Sequence, residues 1–337
     1  GSGKLVVSAA RLGQGNGQHI RFRNDVGQVM KDSLVTIFGG GGFVGRQVAQ
    51  ALLARGARVR IAQRDPSTAL RVKTLGGLGQ VQFIAADIRN PATVARAVAG
   101  SDIVINLVGI LKGDFDSFHH RGAAHVAQAA AQAGVSALVH MSAIGADADS
   151  PSAYGRSKAA GEAAVKAAFP TATIIRPSII FGAEDQFLNR FAQLIAMLPV
   201  IPVIGGTTKF QPVYVADVAQ AIANAAEQPG VHGGQTYELG GPQVRSMKDI
   251  NQWIATATGR DKALVDVPQA AAKLLAMLPG GPITGDQLAM LGRDNVVTPG
   301  AKGLDALGVV ATPMAGVADK WMVRYRRHGR FAGRASA

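Results

Sequence analysis

The chain has 337 residues, a formal net charge of +13, 47% hydrophobic residues and no cysteine. That length and apolar content suffice for a full core and exclude a disordered or fibrous chain; without cysteine there is no disulfide, thiolate metal site or cysteine nucleophile. Aromatics make up only 5% against 42 glycines, a balance that favours close backbone approaches over base-stacking platforms, so nucleic acid is not an expected partner.

The charge sits at the ends. Residues 1–31 carry Lys4, Arg11, Arg21, Arg23 and Lys31 against Asp25, a net of +4, and residues 318–337 carry six cations against Asp319, a net of +5. The body between them holds about +4 and is ordinary. The first thirty residues lack hydrophobic periodicity: Gly1-Ser2-Gly3 reads as a cloning or start-site artefact, Met30 as a natural start, and residues 1–31 as a disordered leader, with an arginine-rich presequence of mitochondrial type as the sharper alternative. The longest apolar run, Leu194 to Ile204, is interrupted by Pro199 and Pro202 and is too short to span a membrane.

From Leu34 onward strands and helices alternate. Leu34 to Phe38 reads as strand one, and after a glycine cluster Val44, Val48 and Leu52 recur at helical spacing until Gly56. Arg58 to Ala62, Val81 to Ala85, Ile103 to Val108, Ala137 to Met141 and Thr173 to Ile175 read as strands two to six. Thr93 to Val98, Ala123 to Ala133 and Ser157 to Ala168 are the helices between the later ones. Such alternation predicts an α/β fold with a doubly wound parallel sheet of Rossmann type and a smaller C-terminal lobe. The expected divisions are a leader over 1–31, a dinucleotide-binding domain over 32–185, a substrate or partner lobe with returning segments over 186–317, and a basic tail over 318–337 with Trp321, Tyr325 and Phe331 interleaved.

The turn after strand one places glycines at 39, 42 and 45 between a strand and a helix. A pyrophosphate needs bare backbone at such a turn and the free amides of a helix N-terminus, which makes Gly39, Gly41, Gly42, Phe43, Val44, Gly45 and Arg46 candidate contacts. About twenty residues on, where an NAD site offers an acid to the ribose, strand two exits into Gln63-Arg64. Arg64, helped by Arg46, can face a 2′-phosphate, so NADP(H) is favoured over NAD(H); the alternative is that Arg64 only pairs with Asp65. Asp87 and Ile88 after strand three fall at the adenine edge. Asn106 with Leu107, Val108 and Gly109 after strand four, and Pro177 after strand six, fall on the nicotinamide side.

Tyr154 and Lys158, four apart, share one helix face. The ammonium can lower the phenol pKa and hold a ribose, Tyr154 can exchange a proton with a substrate oxygen, and Ser142 at the end of strand five can hydrogen-bond that oxygen. Ser142, Tyr154 and Lys158 are therefore the candidate catalytic residues. His119 and His120 follow Asp114 and Asp116 and read as a solvated loop, with no metal expected. Asp217 reads as a positioning acid or a helix cap.

Together these features resemble the short-chain dehydrogenase/reductase superfamily over roughly residues 33–245. Phe43-Val44-Gly45-Arg46, Arg176-Pro177-Ser178, the segments 181–185 and 210–218, and Tyr237-Glu238-Leu239-Gly240-Gly241-Pro242 narrow the resemblance to the nucleotide-binding accessory subunits of respiratory complex I and their bacterial relatives. That resemblance implies tightly held NADPH in a structural, assembly or sensing role, with complex I subunits as partners. It also implies a peripheral location on the cytoplasmic face of the inner membrane in a bacterium or on the matrix side in a mitochondrion. The basic tail would add an anionic membrane surface or a partner subunit. The alternative is an active oxidoreductase or epimerase on a sterol-like, sugar-nucleotide or quinone-like carbonyl or alcohol, using Ser142, Tyr154 and Lys158.

Overall fold

The computed structural model describes residues 30–278 and 283–326. Most of the expected leader, and the end of the expected tail with Phe331, lie outside the described residues. Strands β1 (Leu34–Phe38), β2 (Arg58–Gln63), β3 (Val81–Ala85), β4 (Ile103–Asn106), β5 (Ala137–Met141) and β6 (Thr173–Pro177) join a seventh, Thr236–Leu239, in one parallel sheet. Its order is β3-β2-β1-β4-β5-β6 with Thr236–Leu239 outermost, so the chain winds first one way and then the other from β1. Helices α1 (Phe43–Leu53) and α6 (Val215–Glu227) share one buried cluster with the sheet. Helices α2 (Pro91–Val98), α3 (Gly122–Gln132) and α4 (Ala153–Ala168) share the other. Burial on both faces explains why the central strands are continuous apolar runs rather than alternating ones.

Several element ends shift by a residue or more from the expectation, two of them for a clear local reason. β4 stops at Asn106 instead of running to Val108, because the Asn106 side chain accepts the Val108 N–H (3.1 Å) and turns the chain. α4 starts at Ala153 rather than Ser157, because Ser152 caps it by accepting the Gly155 N–H (3.3 Å). Tyr154 therefore stands on the first helical turn.

The lobe has its own core, built on α5 (Leu188–Met197) and the helices Met247–Ala257 and Met314–Met322, with Phe181, Phe210, Ile195 and Ile254 buried at its centre. The expected tail is corrected here: up to residue 326 it is part of this core. Ala318 and Met322 are buried, Trp321 stacks on Tyr214 at 6.4 Å between ring centres, and the Tyr325 hydroxyl donates to Asn189 (3.0 Å). The arginine-rich, aromatic pattern reads as a solvated end because Lys320 and Arg324 alternate with residues that face inward; Trp321 and Tyr325 pack against the lobe core. Asp217 is neither a cap nor free. It sits in the first turn of α6 and accepts the Thr312 N–H (2.7 Å) and hydroxyl (2.9 Å), tying that helix to the returning chain.

One buried ion cluster ties α4 to the sheet edge. Arg176 of β6 donates twice to Glu162 of α4 (2.8 Å each) and once to Glu238 of the seventh strand (3.4 Å), which also accepts the Thr298 N–H (2.8 Å). Removing the cation would leave two carboxylates poorly hydrated, so Arg176→Met is expected to destabilise the chain by about 3 kcal/mol in urea unfolding. Loss of less than a third of that would mean the carboxylates find water.

Candidate functional site

The crevice forms where β1 and β4 lie side by side and their outgoing chains diverge. Gly39 leaves β1 with φ +78°, a conformation other residues rarely adopt, and a methyl group on Gly45 would strike the Gly39 carbonyl. α1 begins at Phe43 and Val44 with no side-chain cap and no acid in its first turn, so its leading amides and positive dipole end are left to an outside anion. Gly41 donates to the Gln63 side chain (3.1 Å), which fills the place where an acid would meet a ribose. Arg46 is not a spare cation beside this turn: it donates to the Gly41 carbonyl (3.2 Å) and pairs with Glu184 of the lobe.

Arg64 does not pair with Asp65, whose carboxylate instead caps the next turn through Ser67 (2.9 Å). Its guanidinium lies 5.8 Å from the centre of the Phe118 ring, and that of Arg89 4.8 Å from it. Asp87, expected at an adenine edge, is gripped by Arg89 (2.6 Å), which holds its carboxyl below the usual range. Ile88 is buried beneath this corner, and its carbonyl meets His125 Nδ1 at 2.8 Å.

At the other end of the crevice the reactive side chains converge. Ser142, just past β5, is 3% exposed, and its hydroxyl has no partner among the described residues. His140, two residues earlier, meets the Asn106 amide at 3.2 Å. The Asn106 oxygen already accepts the Val108 N–H, so its NH₂ faces His140 Nδ1, and the proton of that ring sits on Nε2, a second buried group without a partner. Lys158, 3% exposed, donates to the Met141 carbonyl (3.3 Å) and lies 5.7 Å from the centre of the Tyr154 ring. Desolvation pulls its ammonium down to about 8, opposed by Glu162 one turn on, and pushes the Tyr154 phenol up to about 12. The expected lowering of the phenol by Lys158 is thus corrected: burial outweighs it, and Tyr154 keeps its proton at neutral pH and holds it more tightly than a free tyrosine does.

Past Leu107 and Val108, the backbone at Gly109 passes so close that a methyl there would lie 3.3 Å from Lys158 Nζ and 3.7 Å from His119 Nε2. Pro177 ends β6, and its carbonyl accepts the Ile144 N–H (3.1 Å), which fixes the loop that leaves Ser142. The Ser142 hydroxyl and His140 Nε2 are buried polar groups without a partner among the described residues, the kind of group that a ligand or water completes.

Two residues of the site were not found from sequence. His119, expected in a solvated loop, is 2% exposed; it lies in a π-helical turn, Asp116–Arg121, that swings it inward while His120 faces out to Asp116 (2.8 Å). Adjacent histidines give no sign of which one turns in. Asp286 comes from the lobe and caps the Tyr154 helix, accepting the Ala153 N–H (2.5 Å), the Tyr154 N–H (3.3 Å) and the Ser152 hydroxyl (3.0 Å). Arg293 to Asp147 (2.9 Å) and Asn295 to the Ile144 carbonyl (3.2 Å) tie the same lobe segment to the loop between Ser142 and Tyr154. Nothing local in the sequence marks a cap lying more than 130 residues away.

The family model described as the NAD dependent epimerase/dehydratase family matches residues 35–240. The chain belongs to that family. It is an NAD(P)-binding family of extended short-chain dehydrogenases and reductases. The NADH dehydrogenase [ubiquinone] 1 alpha subcomplex subunit 9, mitochondrial, of Arabidopsis thaliana is 34% identical over 316 residues, 88% of this chain and 79% of that protein. Its Mus musculus counterpart is 36% identical over 292 residues, 83% and 77% of the two chains. Among solved structures, an Escherichia coli NADPH-dependent quinone oxidoreductase complexed with NADPH shares the fold with a TM-score of 0.70 at 19% identity, covering 85% of this chain and 98% of that one. Among the described residues, no helix is long and apolar enough to cross a membrane.

The two buried imidazoles give the site a pH signature. Burial and the nearby Lys158 charge hold His119 and His140 at about 3 against 6.5 for a free imidazole. Between those values the unfolded chain binds protons that the folded chain refuses, so stability is complete above pH 6.5 and falls on acidification. Urea unfolding at pH 7 and pH 5 is expected to differ by about 2 kcal/mol for each histidine, and His140→Phe to remove about half of the difference. Coincident curves for the wild-type chain would contradict neutral burial.

Proposed function

We propose that this chain holds NADP(H) as an accessory subunit of respiratory complex I, with an assembly or sensing role. The observation that carries the reading is the reach of the alignment: 316 residues align with the plant complex I subunit, well past the span 35–240 that the family model matches, so the likeness includes the lobe as well as the nucleotide domain. Gly39, Gly41, Gly42, Phe43, Val44 and Gly45 would hold the pyrophosphate, and Leu107, Val108, Gly109 and Pro177 would flank the nicotinamide. Tyr154 and Lys158 would hold its ribose, and Asp87 and Ile88 the adenine edge. Gln63 in the acid's place and Arg64 without an ion pair to Asp65 support NADP(H) over NAD(H), with Arg64 the cation for the 2′-phosphate. Arg46 is left out of that role by Glu184. The location that follows is peripheral, on the cytoplasmic face of a bacterial inner membrane or the matrix side of a mitochondrial one.

The protein isolated from its native membranes is expected to migrate with complex I and to release NADPH on denaturation. Finding it only outside complex I fractions would overturn the reading. Arg64→Glu is expected to lower the preference for NADPH over NADH by about tenfold or more, through loss of one charge-assisted contact and addition of a repulsion, as read by titration of both nucleotides.

A second reading, turnover, is favoured by the Ser142 hydroxyl, buried without a partner among the described residues, and by a Tyr154 phenol that keeps its proton near Lys158. The nucleotide, when bound, would supply the hydride. Ser142 would donate to a carbonyl oxygen, Tyr154 would deliver its proton to that oxygen, and Lys158 would offset the charge left on the phenol. NADPH oxidation by a carbonyl or quinone acceptor, lost in Tyr154→Phe, supports it; oxidation that survives Tyr154→Phe excludes it.

A further inference from the structure

His119 is engaged on every side, in a way that neither its neighbours nor its position in the sequence foretell. Its Nε2 accepts the Ile110 N–H at 2.9 Å, and its Nδ1 lies 2.9 Å from the Ser157 hydroxyl. The Ser157 hydroxyl donates to the Tyr154 carbonyl (2.7 Å), so its lone pair faces the ring and Nδ1 carries the proton. The chain of donors runs one way, from the Ile110 amide through the imidazole and Ser157 to the backbone of Tyr154. Only the neutral Nδ1–H tautomer satisfies it, since an imidazolium would point a proton at the Ile110 N–H.

The ring also sets its plane against the reactive side chain. It stands edge-on to Tyr154, 5.3 Å between centres and 90° between planes, and stacks on Phe115 at 5.4 Å and 15°, while Phe115 is itself edge-on to Tyr154 at 5.9 Å. A phenol bounded by two rings in this way has little freedom about its own torsions. On its Nε2 side the imidazole also borders the Gly109 backbone that runs past Lys158.

We propose that His119 is the positioning residue of the nucleotide site. It locks the Gly109–Ile110 backbone, the first turn of α4 and the Tyr154 ring into one arrangement, so that the nicotinamide end of a dinucleotide finds its contacts already assembled. This rests on the reading that the crevice binds NADP(H). Because the lock is made before binding, its loss costs nucleotide affinity in addition to whatever it costs the fold.

The test is NADPH and NADH titration of the full chain, followed by nucleotide fluorescence, with thermal unfolding alongside. His119→Phe keeps the ring stack and loses both hydrogen bonds; the unmatched groups are expected to lower the unfolding temperature, and the loosened Gly109–Ile110 and Tyr154 arrangement to weaken NADPH binding about tenfold at a temperature where the variant is fully folded. His119→Gln restores an acceptor to the Ile110 N–H and is expected to recover most of that affinity. Ser157→Ala, a smaller change that does not disturb the ring, should weaken binding in the same direction, and it decides the matter if His119→Phe does not fold. Wild-type affinity in both His119→Phe and Ser157→Ala overturns the assignment, and so does a loss in His119→Gln equal to that in His119→Phe. A wild-type chain that binds neither nucleotide overturns the cofactor reading itself, a result that the variants cannot produce.

Discussion

An ammonium held out of water is the constraint on which this site depends. Lys158 is almost wholly enclosed, with a single backbone carbonyl as its hydrogen-bond acceptor, and it tolerates that position because Glu162 stands one turn away and Arg176 keeps Glu162 in place from the sheet. Other features follow from accommodating that charge. The neutral state of His119 and His140, the bare backbone at Gly109 and the elevated phenol of Tyr154 all belong to a region where a cation must be near and water must not. The ion cluster at the sheet edge is therefore as much part of the site as the crevice above it.

The same arrangement explains why the candidate residues alone do not distinguish a holder of nucleotide from a user of it. Tyr154 and Lys158 in this geometry can anchor a ribose as well as pass a proton, and a phenol that keeps its proton at neutral pH suits both. What separates the two is on the substrate side. There the loop between Ser142 and Tyr154 is tied down by Asn295, Arg293 and Asp286 from the lobe.

Much of the fold was legible because its signals are short-range. The glycine turn, the apolar strand runs and the alanine-rich helices each report on their own backbone, and their alternation points to a parallel, doubly wound sheet, though not to its seventh strand, Thr236–Leu239. The nearness of Tyr154 and Lys158 was legible by spacing, since residues four apart share a helix face. Arg46 and Asp87 were found as charges near the right turn, but their partners, Glu184 from the lobe and Arg89 two residues on, are settled by packing and local geometry that a candidate list does not contain. His119 was hidden because a π-helical turn shifts the facing by a fraction of a turn. Residues 318–326 read as a solvated segment because cations and aromatics alternate along a stretch whose inner face packs on the lobe core.

The cap that Asp286 places on the Tyr154 helix has a consequence for how the protein is made. Ribosomes deliver this chain from one end, and the sheet, α4 and all three residues of the reactive cluster emerge long before residue 286 does. Until then the first turn of α4 has only Ser152 to hold its amides, so a nascent or truncated chain would carry a correctly folded nucleotide domain whose reactive tyrosine stands on a fraying helix end. Synthesis past residue 286 thus completes the cap, and the Tyr154 helix gains its full set of amide partners only with the lobe.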